Sequence, residues 1–193
     1  MNPAFQKAEF CALYDQTVER VYRYHLARTG SAADAEDLTA ETFHAALVSY
    51  DRLRESEPPL PWLMGIARHK LADHLRRSLL PAGLFRGKQR SVPLESLPEM
   101  ALPGPSIEDQ AGQRLEVARV VRALRALNSQ RAEAIALRYF AGLDLEDVAQ
   151  AMGKSEEAAK KLVQRGLAEL RERLGAGQAE KAESARRGAI YEE

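Results

Sequence analysis

The chain has a single cysteine, Cys11. An intrachain disulfide and a cysteine-built metal cluster are therefore both excluded. Its place in an apolar-periodic helix predicts a small core residue. There is no apolar run of about 20 residues, the length a membrane-spanning helix needs, and no secretory apolar leader. The expectation is a soluble, cytoplasmic protein without membrane insertion. Neither charge is in surplus, with 28 Lys and Arg against 28 Asp and Glu. An argument for nucleic-acid binding from net charge alone therefore fails. No segment competes with the helical pattern by alternating apolar and polar residues as a strand does, and there is no internal repeat. A glycine-rich phosphate loop, an HExxH motif and a nucleophile motif are all missing. His69 and Asp73 lie one helical turn apart, as do Lys70 and His74, but such pairs on a basic helix are usually structural or electrostatic. No catalytic residue, metal or cofactor is expected, and the chain is read as a non-enzyme.

What is present is helical periodicity, most informative between Leu143 and Leu174. Leu145, Val148, Ala149 and Met152 follow the three-and-four spacing of an amphipathic helix. So do Ala158, Ala159, Leu162, Val163, Gly166, Leu167 and Leu170. Between them, Gly153 can adopt the positive φ that ends a helix. Ser155 can cap the next one, with Glu156 and Glu157 favourable in its first turn. This is the grammar of a helix-turn-helix, whose second helix can enter a DNA major groove. An ordinary helical hairpin in a core would share the pattern.

The rest of the chain divides around a break. Phe10, Leu13, Tyr14, Thr17, Val18, Val21 and Tyr22 make one helical stripe. Ser31 offers a cap, with Asp34 in capping-box position. The helix it starts should bury Ala35, Leu38, Thr42, Phe43, Ala46, Leu47 and Tyr50. A polar loop follows, and Pro61 can open a third helix that buries Trp62, Leu63, Ile66, Ala67, Leu71 and Leu75. Periodicity then fails across residues 79–107, which carry five prolines and three glycines from Pro81 to Pro105. Such a segment reads as a tether without its own core. Helical pattern resumes near Glu108, with Leu115, Val117, Val120, Val121, Leu124 and Leu127 as core candidates. Asn128 or Ser129 should cap a short helix holding Ile135, Ala136 and Tyr139. After Leu174 a Gly-Ala-Gly step and a charged tail should fray. The expected fold is all-α, with two small helical domains, 1–78 and 108–174, joined by a flexible linker, 79–107, and followed by a tail, 175–193. The second domain contains the helix-turn-helix.

Charge is local rather than global. Residues 31–57 hold seven acids and two bases, and residues 60–90 hold seven bases and one acid. Such asymmetry points to separate faces for separate partners, although each block alone could be a solvated face. On the third helix Arg68, His69, Lys70, Arg76 and Arg77 take non-core positions near Trp62. Cations beside an aromatic suit unstacked DNA, because bases need a surface and phosphates need charge. Trp62 equally suits the core.

Residues 34–43, DAEDLTAETF, with 62–77, WLMGIARHKLADHLRR, resemble region 2 of a bacterial sigma factor. Residues 137–165, LRYFAGLDLEDVAQAMGKSEEAAKKLVQR, resemble region 4. Their order and spacing resemble the extracytoplasmic-function group of the sigma-70 family. The resemblance implies a protein that binds core RNA polymerase and directs it to promoter DNA. It implies polymerase docking through Asp34, Glu36, Asp37, Leu38 and Glu41, with Leu38 and Phe43 also on the core stripe. It implies opening of a minus-10 element by Tyr50, Asp51, Arg52, Trp62, Arg68, His69, Lys70, Arg76 and Arg77, with the loop from Tyr50 to Pro61 receiving a flipped base. It implies reading of a minus-35 element by Lys154, Ser155, Lys160, Lys161, Gln164 and Arg165. An anti-sigma factor, which holds many relatives inactive, joins the candidate partners. Three positions depart from the usual pattern. His69 stands where Asn is usual, Ala159 where Val is usual, and Gly166 where Ala is usual. A stand-alone regulator with a helical sensor or dimerisation domain would explain the second half of the chain, but not the acidic helix or the basic helix with Trp62.

Overall fold

The computed structural model describes the backbone of residues 3–53, 58–79 and 107–188, and the side chains of 8–51, 53, 58–78 and 115–176. Every regular element in them is helical. Helix α1 spans Pro3–Thr29, α2 Ala32–Ser49 and α3 Pro59–Leu79; α4 spans Ile107–Arg125, α5 Ser129–Ile135, α6 Leu145–Met152 and α7 Glu156–Gly188. A single 3₁₀ turn, Tyr50–Arg52, follows α2. A π-helical turn, Ala136–Phe140, follows α5. The expected tether lies almost wholly outside the described residues.

Local chemistry sets the helix boundaries. The Ser31 hydroxyl accepts from the Asp34 amide at 3.3 Å. The reciprocal half of a capping box is replaced, because the Ser31 amide donates to Thr29 Oγ1 at 3.3 Å. Asn128 caps α5 through the Gln130 amide at 3.1 Å, and Asp144 caps α6 through the Asp147 amide at 2.8 Å. Gly153 ends α6 with φ of 61°, and Ser155 caps α7 through the Ala158 amide at 3.3 Å. Each cap satisfies an amide that the first helical turn would leave without a partner. The break predicted between the two helices is thus the turn observed.

The α1–α2–α3 and α4–α7 sets each pack internally, and their apolar interiors join. One continuous core contains Val21, Tyr24, Leu38, Phe43, Leu63 and Met64 from the first set, with Leu124, Ile135, Leu137, Leu143 and Val148 from the second. Two tethered domains would each need only a core of its own. Here α1 lies against the π turn and α4, and α3 lies against α6.

Several sequence expectations change. Cys11 is exposed, because two residues turn a helix by about 200° and so place it opposite the buried Leu13, Thr17 and Val21. Leu47, Leu115 and Val117 are exposed instead of buried. They lie at the margins of their stripes, where no second helix arrives among the described residues. Helix α7 continues past Leu174 to Gly188 rather than ending. Its later residues are rich in Ala, Glu, Lys, Arg and Gln, all strong helix formers that tolerate two glycines at about 1 kcal/mol each. Arg119 also donates to the Leu174 carbonyl at 2.6 Å, tying α7 to α4.

The glycine at 166 has a packing role. A Cβ there would lie 2.7 Å from Ile135 Cδ1 and 3.2 Å from Arg131 Cβ. The missing methyl lets α5 and α7 approach closely. We expect Gly166→Ala to lower stability by up to about 2 kcal/mol, because overpacking costs about 1–3 kcal/mol against about 1 kcal/mol of helix propensity gained. Adding Ile135→Val removes the clashing methyl, so chemical denaturation should show the double variant losing less than the sum of the two singles. Strict additivity would mean the contact is not limiting.

His25 is fully buried, with Nε2 3.1 Å from Thr42 Oγ1. Burial, reinforced by His74, pushes its pKa down to about 3. The folded chain therefore keeps His25 neutral while the unfolded chain protonates it near its ordinary 6.5. The resulting stability is present above that value and is lost as pH falls from 6.5 toward 3. The slope approaches about 1.4 kcal/mol per pH unit. Denaturation midpoints measured across that window should fall less steeply for His25→Gln; equal slopes would assign the acid sensitivity elsewhere.

Candidate functional site

The acidic helix presents the carboxylates that its sequence pattern called for. Glu36, Asp37 and Glu41 are exposed along α2, and Asp34 is half-buried at its start, 4.0 Å from His74 Nε2. Leu38 is buried and faces the core, so it supports this face from behind and cannot itself touch a partner. Beside the carboxylates, Tyr14, Val18, Tyr22, Ala40 and Phe43 line a shallow, largely apolar cavity of about 360 Å³ whose walls also include Glu19 and Glu36.

Basic groups gather on α3, with some already engaged. Lys70 Nζ lies 3.7 Å from Glu41, so the acidic and basic helices meet. Arg76 pairs with Asp73, and Arg77 Nε donates to the Asp73 carbonyl at 3.3 Å. His69 is exposed. Trp62 is half-buried, its ring edge-on to Tyr50 with centroids 6.2 Å apart. Tyr50 in turn meets Phe10 at 5.3 Å. This aromatic stack fixes the start of the loop that leads to α3. Asp51 is exposed, while the Arg52 side chain and residues 54–57 lie outside the described residues.

Arg68 is not free. Its Nη1 donates to the Ala151 carbonyl at 2.9 Å, and its Nε lies 2.7 Å from Glu133 Oε1. Glu133 belongs to α5, far from α3 in sequence. Burial raises the pKa of its carboxyl, against the lowering pull of Arg68, Arg28, His69 and Lys154. Tyr24 is buried in the same electrostatic neighbourhood, and desolvation, then Glu133, drives its pKa upward. Sequence reasoning missed Glu133 and Arg28. A signal for Glu133 was available: its neighbours Ala132, Ala134 and Ile135 are all apolar, and a short helix so occupied has little solvent face for a carboxylate.

The helix-turn-helix offers a different surface. Val148, Ala149, Ala159, Val163 and Leu170 are buried, fixing which side of α7 faces inward. Lys154, Ser155, Lys160, Lys161, Gln164 and Arg165 are exposed. Ser155 is occupied as the helix cap. Lys161 Nζ lies 2.6 Å from Glu157, a surface pair worth only a few tenths of a kcal/mol and readily exchanged for another anion. Lys160, Lys161, Gln164 and Arg165 therefore form one polar face on the side of α7 away from its buried residues.

Residues 13–79 match the model of sigma-70 region 2, and residues 118–170 match that of sigma-70 region 4. The ECF RNA polymerase sigma factor BldN of Streptomyces coelicolor is 36% identical over 160 residues, covering 82% of this chain. The chain spans 57% of the length of that relative. The ECF RNA polymerase sigma factor SigD of Mycobacterium tuberculosis is 32% identical over 159 residues, covering 80% of this chain and 71% of SigD. In structure, the chain is similar to the sigma factor RpoE of Bartonella quintana, solved in complex with the anti-sigma factor NepR. The TM-score is 0.65 at 20% identity, covering 86% of this chain and 97% of RpoE. With both regions matched in order and SigD covered over most of its length, the chain belongs to the extracytoplasmic-function sigma factors of the sigma-70 family.

Proposed function

We propose that this chain binds core RNA polymerase and directs it to a set of promoters, acting by recognition rather than catalysis. Region 2 and region 4 matches in one chain are the observation that carries this reading. In it, residues 1–78 and 108–174 are the two working domains and 79–107 the tether. Glu36, Asp37 and Glu41 dock on a basic polymerase surface. Trp62, with Arg68, His69, Lys70, Arg76 and Arg77, holds the opened minus-10 strand by stacking and charge, the combination suited to single-stranded DNA. The α7 face reads the minus-35 element as duplex. An anti-sigma factor is a further partner, supported by the complex in which RpoE was solved. No helix among the described residues is long and apolar enough to cross a membrane, and the proposed site of action is the cytoplasm. In vitro transcription with added core polymerase on a genomic library tests the role. Start sites without a shared upstream element would refute promoter selection. A stand-alone regulator would bind DNA without copurifying with polymerase.

Docking through exposed carboxylates should be sensitive to charge and salt, since exposed charges are screened over about 8–10 Å at moderate ionic strength. Asp37→Lys with Glu41→Lys should weaken core binding on the order of tenfold, about 1.4 kcal/mol, while circular dichroism shows the helices retained. Unchanged affinity would move the docking face elsewhere.

On α7 the residue types divide the work. Lysine is a point charge suited to phosphate, whereas glutamine and arginine can make paired bonds to a base edge. Gln164→Ala or Arg165→Ala should cost about 1–3 kcal/mol at the preferred upstream element and relax its sequence preference. Lys161→Ala should weaken all sequences alike and flatten the salt dependence. Binding to a promoter panel at two salt concentrations separates them; a changed base preference in Lys161→Ala alone would mean the helix enters the groove at another rotation.

A further inference from the structure

The outward stripe of α7 holds one residue whose charge opposes DNA. Ala159, Val163, Gly166 and Leu170 are buried and mark the inward side of the helix. At about 100° per residue, Lys161 projects about 170° from the middle of that side, Glu157 about 150°, and Gln164 and Arg165 about 130°. All four are exposed. Glu157, Lys161 and Gln164 are spaced by four and three residues and so lie along one row of the helix surface. Glu156 lies only about 50° from the inward middle and is not part of that row. Glu157 also stands in the first turn of α7, the end that reaches base edges when such a helix enters a major groove.

Helix stability does not account for this placement. A carboxylate in the first turn favours the helix, but Glu156 already supplies one from off the row. The Lys161 ammonium lies 2.6 Å from Glu157 Oε1, with both side chains more than half exposed. Such an exposed pair contributes little. Against duplex DNA the carboxylate repels phosphate and so weakens binding to every sequence. Only a hydrogen-bond donor on a base edge offsets that repulsion. In the major groove guanine and thymine present acceptors, and adenine sets its N7 acceptor beside its amino group. Cytosine presents the N4 amino group with no acceptor of its own beside it. A carboxylate on this row therefore selects cytosine.

We propose that Glu157 is a specificity-determining residue for the upstream element: it accepts a hydrogen bond from a cytosine amino group, and a DNA phosphate frees it by taking Lys161. The inference rests on the reading of this α7 face as the one that enters duplex DNA, and it adds an acidic reader to a face of lysine, glutamine and arginine. From Glu157 to Gln164 the helix advances about 10 Å, close to three base-pair steps of about 3.4 Å. The cytosine thus occupies a different position from the base that Gln164 meets. Lys161→Ala keeps the cytosine preference, since the carboxylate is then free from the start.

The test uses the full chain assembled with core polymerase, selecting from a pool of duplex fragments randomised across the upstream element, with bound fragments sequenced. Glu157→Ala should lose enrichment of one cytosine, at a position that Gln164→Ala leaves in place, and Glu156→Ala should keep it. On the selected element, replacing that C·G pair by each other pair should weaken the parent about tenfold, whereas Glu157→Ala should bind all four elements within about twofold. Glu157→Ala should also bind the three replaced elements more tightly than the parent does. That gain separates a role at the base from a purely structural one, which would weaken all four. A cytosine retained by Glu157→Ala, or lost equally by Glu156→Ala, would overturn the inference and leave promoter selection standing. A parent chain that enriches no upstream element would refute the proposed function, and this inference with it.

Discussion

Arginine side chains bonding to carbonyls at helix ends organise this molecule. The last turn of a helix leaves carbonyls without amide partners, and an arginine can span the gap to them with a rigid, multiply donating head. Arg20 takes the Ala141 and Gly142 carbonyls just past the π turn, Arg68 takes one in the last turn of α6, and Arg138 takes the Leu143 carbonyl in the loop before α6 at 2.5 Å. Two of the three connect the first three helices to the last four. The apolar core gives the seam its area, and these bonds give it one register.

That arrangement changes how the basic helix is understood. A row of arginines and lysines on α3 reads as a free electropositive surface, but Arg68, Lys70, Arg76 and Arg77 each have a partner within the chain. The partners differ in kind. Asp73 and Glu41 are solvent-exposed and their pairs are weak. Glu133 and the Ala151 carbonyl are contributed by the other half of the molecule. Among the described residues the α7 face has no such counterpart across the seam, since Lys160, Lys161, Gln164 and Arg165 are exposed.

Sequence patterning made the helices and their caps legible because those features are local. Ser31, Asn128, Gly153 and Ser155 act within three residues of themselves, and each behaves as its side chain dictates. The resemblance to region 2 and region 4 motifs was likewise carried by contiguous strings. Legibility failed where a second element decides the outcome. Nothing near Leu47 or Leu115 indicates that they stay exposed among the described residues, and nothing near Tyr24, His25 or Arg28 indicates that a helix covers them. At Gly166 only the low helix propensity of glycine is visible in one dimension; its use appears once Ile135 is placed against it. The charge blocks located the acidic and basic helices correctly but could not show Glu133, a single carboxylate from outside both blocks.

The π turn at Ala136–Phe140 holds one residue more than an α-helical path would. The Ala141 amide bonds back five residues to the Ala136 carbonyl at 3.0 Å, and Gly142 follows at φ of 70°. Deleting one residue there would leave an ordinary helical ladder, so the local hydrogen bonding would tolerate the change. The chain beyond would nevertheless be rotated by about 100° and drawn back by about 1.5 Å, swinging the carbonyls of residues 141 and 142 away from Arg20. Length variation in this turn is therefore constrained by a contact more than a hundred residues away in sequence. Among relatives, a shortened turn should be accompanied by loss of the arginine at position 20.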